Sequence, residues 1–392
     1  MLSFAFLFNM RNFRNVNFAF AEESSSQASD IEKELENSTN EVLDRLDLEE
    51  LSEAFGWTQE NTNLFGGKSL KQFILDVIGG EEEFDLNTFF NFIKEVLRMN
   101  VKNILSPILL IFVVGLLCTL FNSMRTNKMG GVGDVVYLVC FSIVVIIASV
   151  LISKLIISSK EAIERMQKQM NAIFPVLLIL MTSMGGEISA RAYTPIVAVL
   201  SNIISNIFCY VLLPLFSISL VLSILGHVSS NTKLGKLNNF IKSLFKWIIG
   251  SVFAIFMGYL SIKGFTAGAS DGISVKATKY AIKNYIPMLG GYISEGFELV
   301  KAGSFIVKNA IGFVGILLLL ATVLLPILAI AVSELSLKLL AGILEPVGEN
   351  KTASLLESIA GSLKLLSVVV IGVALMYFLT IYLMTCSVAN VI

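Results

Sequence analysis

The stretch from Asn309 to Ser333 runs for 25 residues without a charge. As a helix it would extend roughly 37 Å, longer than the ~30 Å hydrocarbon core of a bilayer. Pro326 lies inside it, in the context Val323-Leu324-Leu325-Pro326-Ile327-Leu328. A proline within a helix removes one backbone hydrogen bond and crowds the carbonyl four residues earlier. In lipid the freed carbonyl needs another partner. The run is therefore expected to kink or break there, with the break turned toward protein or a polar cavity.

Further uncharged runs cover 103–124, 135–153, 169–186, 192–232, 247–262 and 365–392. The 41 residues of 192–232 exceed one crossing and contain Pro195 and Pro214, so seven or eight spans are expected. Composition agrees: 55% of residues are hydrophobic and 15% charged, and the mean hydropathy is +0.78. Soluble domains carry about 25% charged residues. The fold class that follows is all-α, a polytopic membrane helical bundle with Pro-broken helices. Lys/Arg counts in the loops balance on the two sides and do not orient the chain. No nucleic-acid partner is expected.

The proline phrase recurs. Val211-Leu212-Leu213-Pro214-Leu215-Phe216 matches it closely, and Ile104-Leu105-Ser106-Pro107-Ile108-Leu109 more loosely. After each proline an apolar half-helix leads to a short polar loop (Arg125–Lys128, Asn231–Lys233, Glu349–Thr352) and then to another apolar helix. Phe174-Pro175 precedes Pro214 by 39 residues, and Ile286-Pro287 precedes Pro326 by the same 39. These regularities read as a diverged internal repeat of broken membrane helices, with Pro107, Pro175, Pro214, Pro287 and Pro326 as structural or gating candidates. The bland alternative is chance likeness among Leu-rich segments. If the chain were a solute permease, its binding site would lie at the broken helices around Pro214 and Pro326.

Residues 22–101 differ from the rest, with 19 acidic and 6 basic side chains. The expected division is a degenerate signal-like segment (1–21), an acidic helical extracytoplasmic domain (22–101) and a membrane domain (102–392). Leu2–Phe8 is apolar, but Arg11 and Arg14 follow it, the reverse of a signal peptide's order. Residues 22–40 are rich in Ser and Glu and are expected to be disordered. Helical spacing is expected over Glu41–Phe55, Lys68–Ile78 and Asp85–Met99, the last burying Phe89, Phe90, Ile93, Val96 and Leu97. Gly66-Gly67-Lys68-Ser69 lacks the first glycine of a phosphate loop, whose place is taken by Thr62.

Two charged connectors stand out. Ser158–Asn171 is amphipathic, with Ile163, Met166 and Met170 on one face and Glu161–Arg165 and Glu164–Lys168 at pairing distance along a helix, as expected at a membrane interface. Lys263–Lys308 holds six lysines. Lys276 and Lys279, with Lys283, suit anionic headgroups or an acidic partner. Gly268-Ala269-Ser270-Asp271-Gly272 fits G-x-S-x-G. A nucleophile elbow needs a strand, a turn, a helix and a histidine, and His227 is the sole histidine. A turn in which Ser270 or Asp271 caps the next helix and Gly272 supplies the bend is the simpler reading. Cys118, Cys140, Cys209 and Cys386 all sit in apolar runs and read as core residues, so no metal or cofactor is expected. Glu187 and Arg191 stand four apart, as a local ion pair would. Gly312, Gly315, Gly361, Ser201, Ser205, Ser217, Ser219 and Ser223 let helices approach closely.

With these residues in view, the chain resembles the stage III sporulation protein AE family of endospore-forming bacteria from about Glu81 onward. The resemblance is carried by Ser270-Asp271-Gly272-Ile273-Ser274 through Lys279, Ile286-Pro287, the Leu-Leu-Pro phrases and Glu83-Phe84-Asp85-Leu86. It implies a non-enzymatic multi-pass protein of the mother-cell membrane around the forespore, one subunit of a secretion-like channel. The implied partners are a secretion-type ATPase, ring-forming proteins, a forespore-side partner and membrane lipid, with a homo-oligomer possible. It also implies a role in forespore maintenance and late forespore gene expression, and it brings no catalytic residues.

Overall fold

The structure, a computed structural model, describes residues 25–62, 65–79, 86–126, 130–228, 234–285, 290–347 and 350–387. These residues are almost entirely helical, with no strand among them. Three short helices come first: α1 (Ser25–Asp44), α2 (Glu49–Thr62) and α3 (Leu70–Gly79). The long elements follow: α4 (Leu86–Thr126), α5 (Gly130–Ser183), α6 (Glu187–Ala198), α7 (Leu213–Val228), α8 (Gly235–Tyr285), α9 (Gly290–Leu344) and α10 (Asn350–Cys386). Between α6 and α7 the chain stays helical through π-helical runs at Val199–Ile204 and Phe208–Leu212.

Six helical stretches are long and apolar enough to cross a membrane, against the seven or eight runs read from sequence. Runs 135–153 and 169–186 fall on the single helix α5, and 192–232 lies mostly on one stretch ending near His227. The charged connector between the first two runs does not leave the helix for an interfacial position. Its apolar residues Ile163, Met166 and Met170 are fully buried, and its charges pair along the helix. Arg165 bonds Glu161 at 2.9 Å as expected, but Glu164 pairs with Lys160 at 3.6 Å rather than with Lys168. At 54 residues α5 extends about 80 Å, well over twice a bilayer core, so part of it must project beyond the lipid.

The organising element is α9, which contains the 309–333 run. It packs against α10, α5, α4, α1 and α8, and its most apolar window is 61% buried, the highest of the six, against 11% for α8. Close approach depends on two glycines. A Cβ on Gly312 would stand 2.3 Å from Thr385 Oγ1 of α10, and one on Gly315 would stand 3.0 Å from Ile173 Cδ1 of α5. Gly361, by contrast, has nothing within 4 Å and is no packing glycine.

The acidic head is ordered from Ser25, where disorder was expected over 22–40. Tertiary contact overrides composition there. Thr39 and Leu43 are buried, and Ser38 Oγ donates to the Leu299 carbonyl of α9 beside Gly303. The helical spacing over Glu41–Phe55 is interrupted at 45–48, which separates α1 from α2. Phe55, Phe65 and Phe73 stack together, and Arg165 of α5 lies 4.2 Å from the Trp57 ring. The head's buried residues thus join the same core as α5 and α9. The glycine pair before Lys68 makes a turn with φ of +60° at Gly66 and +80° at Gly67, conformations open to glycine. At the start of α4 the buried face is Phe92 and Val96, while Phe90 is exposed. It is set by packing on Ala321, Leu324, Leu325 and Leu328 of α9, and α4 runs unbroken across residue 102.

None of Pro107, Pro175 or Pro326 ends its helix. Of these three, Pro326 alone is buried. It faces protein, as expected of the 309–333 run, whereas Pro175 and Pro214 are exposed. At Pro214 the widened turns of Phe208–Leu212 shift the preceding carbonyls off the line on which the ring would collide.

Candidate functional site

The polar contacts of the apolar region collect along α10. Its antiparallel register to α9 is fixed by Thr385 at Gly312, Ile381 at Gly315 and Lys364 at Glu334 (4.0 Å). On another flank it runs antiparallel to the α6–α7 stretch. Phe208 meets Gly372, and Ser223 Oγ lies 2.5 Å from Ser358 Oγ. His227 closes this seam. Its Nδ1 faces the Ser223 carbonyl at 2.7 Å and must therefore carry the proton, which leaves Nε2 to accept from Ser354 Oγ at 3.2 Å in the neutral ring. Ser219 Oγ donates to Asn238 Oδ1 at 2.7 Å, tying α7 to α8.

The most buried knot of the seam lies at the π-helical turns. Wider i→i+5 winding leaves the Leu200 carbonyl accessible to side chains. Ser205 Oγ at 3.2 Å and Tyr377 OH at 3.3 Å both reach it, and the two hydroxyls are 2.7 Å apart, so one hydroxyl donates to the other, which donates to the carbonyl. Ser205 and Tyr377 are both nearly inaccessible. In an apolar surround, three polar groups satisfying one another define a specific packing. π turns in otherwise α-helical stretches occur often at functional sites, and this one joins two apolar half-helices just before Pro214.

The structure separates several residues that the sequence grouped. Pro214 belongs to the α7 neighbourhood on α10 and α8, whereas Pro326 lies beside the α4 contact at Phe92 and Val96, and α10 packs on both sides. Pro107 is half-exposed on α4. Pro287 lies outside the described residues. Ser270, Asp271, Gly272, Lys276 and Lys279 lie within the helical backbone of α8. No turn or strand occurs at 268–272, so neither a nucleophile elbow nor a helix cap forms there. His227 is engaged by Ser354 instead. Glu187 and Arg191 form the expected pair at 3.3 Å, exposed to solvent. Of the serines, Ser205, Ser219 and Ser223 bridge helices, while Ser217 bonds only its own helix. Tyr377, Ser354, Ser358 and the Glu334–Lys364 pair were not singled out from sequence. The signal for Ser354, Ser358 and Lys364 was the polar first half of α10, with Ser, Glu, Gly and Lys recurring at three- and four-residue intervals from Ser354 to Lys364.

A helical bundle with six bilayer-length apolar helices, a largely buried central helix and a hydroxyl-lined π segment is a polytopic α-helical membrane protein. Its sequence matches the family described as Stage III sporulation protein AE over residues 68–388, most of the chain. The chain belongs to that family. It is 27% identical to the Stage III sporulation protein AE of Bacillus subtilis (strain 168), over 81% of this chain and 80% of that protein. No solved structure matches it.

Proposed function

We propose that this protein is a non-enzymatic integral membrane subunit of the channel linking mother cell and forespore, in the mother-cell membrane, supporting forespore maintenance and late gene expression. The observation that carries this reading is the family match over residues 68–388, which takes in all six membrane-length helices. The π-helical knot at Leu200, Ser205 and Tyr377 supports it as the point where the α6–α7 stretch can shift register against α10. The partners of this reading are a secretion-type ATPase, ring-forming proteins and a forespore-side protein. The acidic residues 22–101 are placed outside the cytoplasm, on the side where a forespore partner would dock, with 102–392 as the membrane part.

Deletion of the gene in its native host tests the reading. Arrest after engulfment, with a silent late forespore reporter, is the expected result, and normal spores would refute it. Complementation with Ser270→Ala is expected to restore sporulation fully. Failure of that variant to complement, at normal protein level, would move a hydrolase reading forward.

A further inference from the structure

Of the six membrane-length helices α8 is the least enclosed, with its apolar window 11% buried. Asn238, Phe245, Phe256 and Leu260 mark the side that it turns to the bundle, where Asn238 accepts from Ser219 of α7. At about 100° per residue, Lys246, Asn239, Gly250, Ser243, Lys236 and Trp247 fall on one arc away from that side. All six are exposed, Trp247 to 71%, and Lys242 lies half-buried at the edge of the arc, one turn before Lys246. Beyond Gly250 the arc continues uncharged through Ala254 and Met257, both exposed.

Charge and length decide what this arc can face. Residues 188–270 carry six basic side chains and no acid. Lys236, Lys242 and Lys246 form no ion pair among the described residues. Lys242 and Lys246, four apart on one helix, repel each other, so the pair favours an anion from outside the chain. The uncharged run that follows them, 247–262, would extend about 24 Å, short of the ~30 Å hydrocarbon core. A short span is accommodated by local thinning of the bilayer and by lysines at its end that reach back to the headgroups. Tryptophan settles at the same boundary. Lys246 and Trp247 therefore mark the headgroup level of α8 from this helix's own residues. A phospholipid meets both halves of the arc. Its phosphate answers the lysines and the donors of Asn239 and Ser243, and its acyl chains suit Gly250, Ala254 and Met257. An acidic protein surface answers only the first half.

We propose that the first turns of α8 bind the headgroup of an anionic phospholipid. Lys242 and Lys246 neutralise it, Ser243 and Asn239 donate to its oxygens, and Trp247 packs at the level of the glycerol. An acyl chain descends over Gly250, where nothing lies within 4 Å of an added Cβ. Lys236, about 15 Å further along the helix from Lys246, extends the attraction outward from the membrane. The inference goes beyond the channel reading and does not rest on it.

The test reads Trp247 itself, in the full-length protein reconstituted into vesicles of equal phosphatidylglycerol and phosphatidylcholine. Bromine is carried on the acyl chains of one lipid or of the other, and quenches indole fluorescence on contact. The chain has two tryptophans, and the signal of Trp247→Phe, which comes from Trp57, is subtracted. A lysine near an anionic surface strengthens binding about fivefold, so Trp247 is expected to prefer phosphatidylglycerol by at least about that factor. In Lys242→Gln/Lys246→Gln the preference should fall to near one. Lys154→Gln, an exposed lysine of α5, should leave it unchanged. Excess inorganic phosphate should also leave it unchanged, and abolition by phosphate would assign the lysines to a free anion and overturn the lipid site. Equal quenching by the two lipids in the parent would overturn it without any substitution among the lysines, and would leave them to an acidic protein. A preference that survives in the double variant, or that Lys154→Gln lowers as much, would show net charge at work rather than a site. The readout is independent of sporulation.

Discussion

Replacing Gly312 by alanine puts the α9–α10 pairing to a direct test. The added Cβ would lie 2.3 Å from Thr385 Oγ1 and 3.1 Å from Cγ2, with Thr385 Cβ at 3.3 Å. A separation of 2.3 Å is far inside contact distance, so either the threonine leaves its rotamer or the helices part. Thr385 is not free to turn without cost, because its hydroxyl donates to the Ile381 carbonyl at 2.8 Å. Overpacking of this kind costs about 1–3 kcal/mol. The double variant Gly312→Ala/Thr385→Ala removes both close atoms and leaves only the tolerable 3.3 Å contact, so its stability should return to within about 1 kcal/mol of the parent. Gly315→Ala should cost less, under about 1 kcal/mol, since its nearest neighbour is the flexible tip of Ile173. Gly361→Ala meets nothing and should be neutral, or stabilising by up to about 1 kcal/mol through helix propensity. Helicity followed through an SDS titration in mixed micelles gives all four values. Equal stability of the 312 and 361 variants, or a 385 substitution that fails to restore the 312 variant, would refute the close-approach reasoning.

Other consequences are equally accessible. Tyr377→Phe removes the hydroxyl shared by Ser205 and Leu200 and should cost about 0.6–1.7 kcal/mol in the same titration. Combined with Ser205→Ala it should be less than additive, and full additivity would mean that the two hydroxyls do not interact. Arg165→Ala removes the cation from the Trp57 ring, a contact of about 0.5–2 kcal/mol, and should speed proteolysis within α1–α3. An unchanged cleavage rate would show that the head is held without it. Lys308, fully buried on α9, donates to the Ser387 carbonyl just past the end of α10. Lys308→Met keeps the volume but loses this cap, so hydrogen exchange should rise over the last turn of α10 while α9 stays protected. Unaltered exchange there would assign the lysine no capping role.

Much of the architecture was legible in the residues because charge and proline report locally. Uncharged runs located every long helix, since an unpaired charge in lipid is too costly to be scattered at random. Gly312 and Gly315 were legible as approach points because only small residues permit it. The prolines at 107, 175 and 326 do not end their helices. Local rules forbid a bond at Pro175 and Pro214 but do not say that these positions face outward, or that a π turn precedes Pro214. The order of residues 25–40 was hidden for a similar reason. Their composition cannot hold a core of its own, and the apolar partner that orders them lies more than 250 residues away on α9.

The sequence by itself determined the class: a membrane bundle of long helices, centred on the 309–333 run, in the stage III sporulation protein AE family. Hydrophobicity and family motifs are properties of the chain and need no partner to be read. Tertiary structure decided that two apolar runs and the charges between them are one helix. It decided that Ser205, Leu200 and Tyr377 meet, and that Glu334 of α9 pairs with Lys364 of α10. Such placements depend on the register between helices. Register is set by side-chain packing across the interface, which no single helix carries in its own sequence.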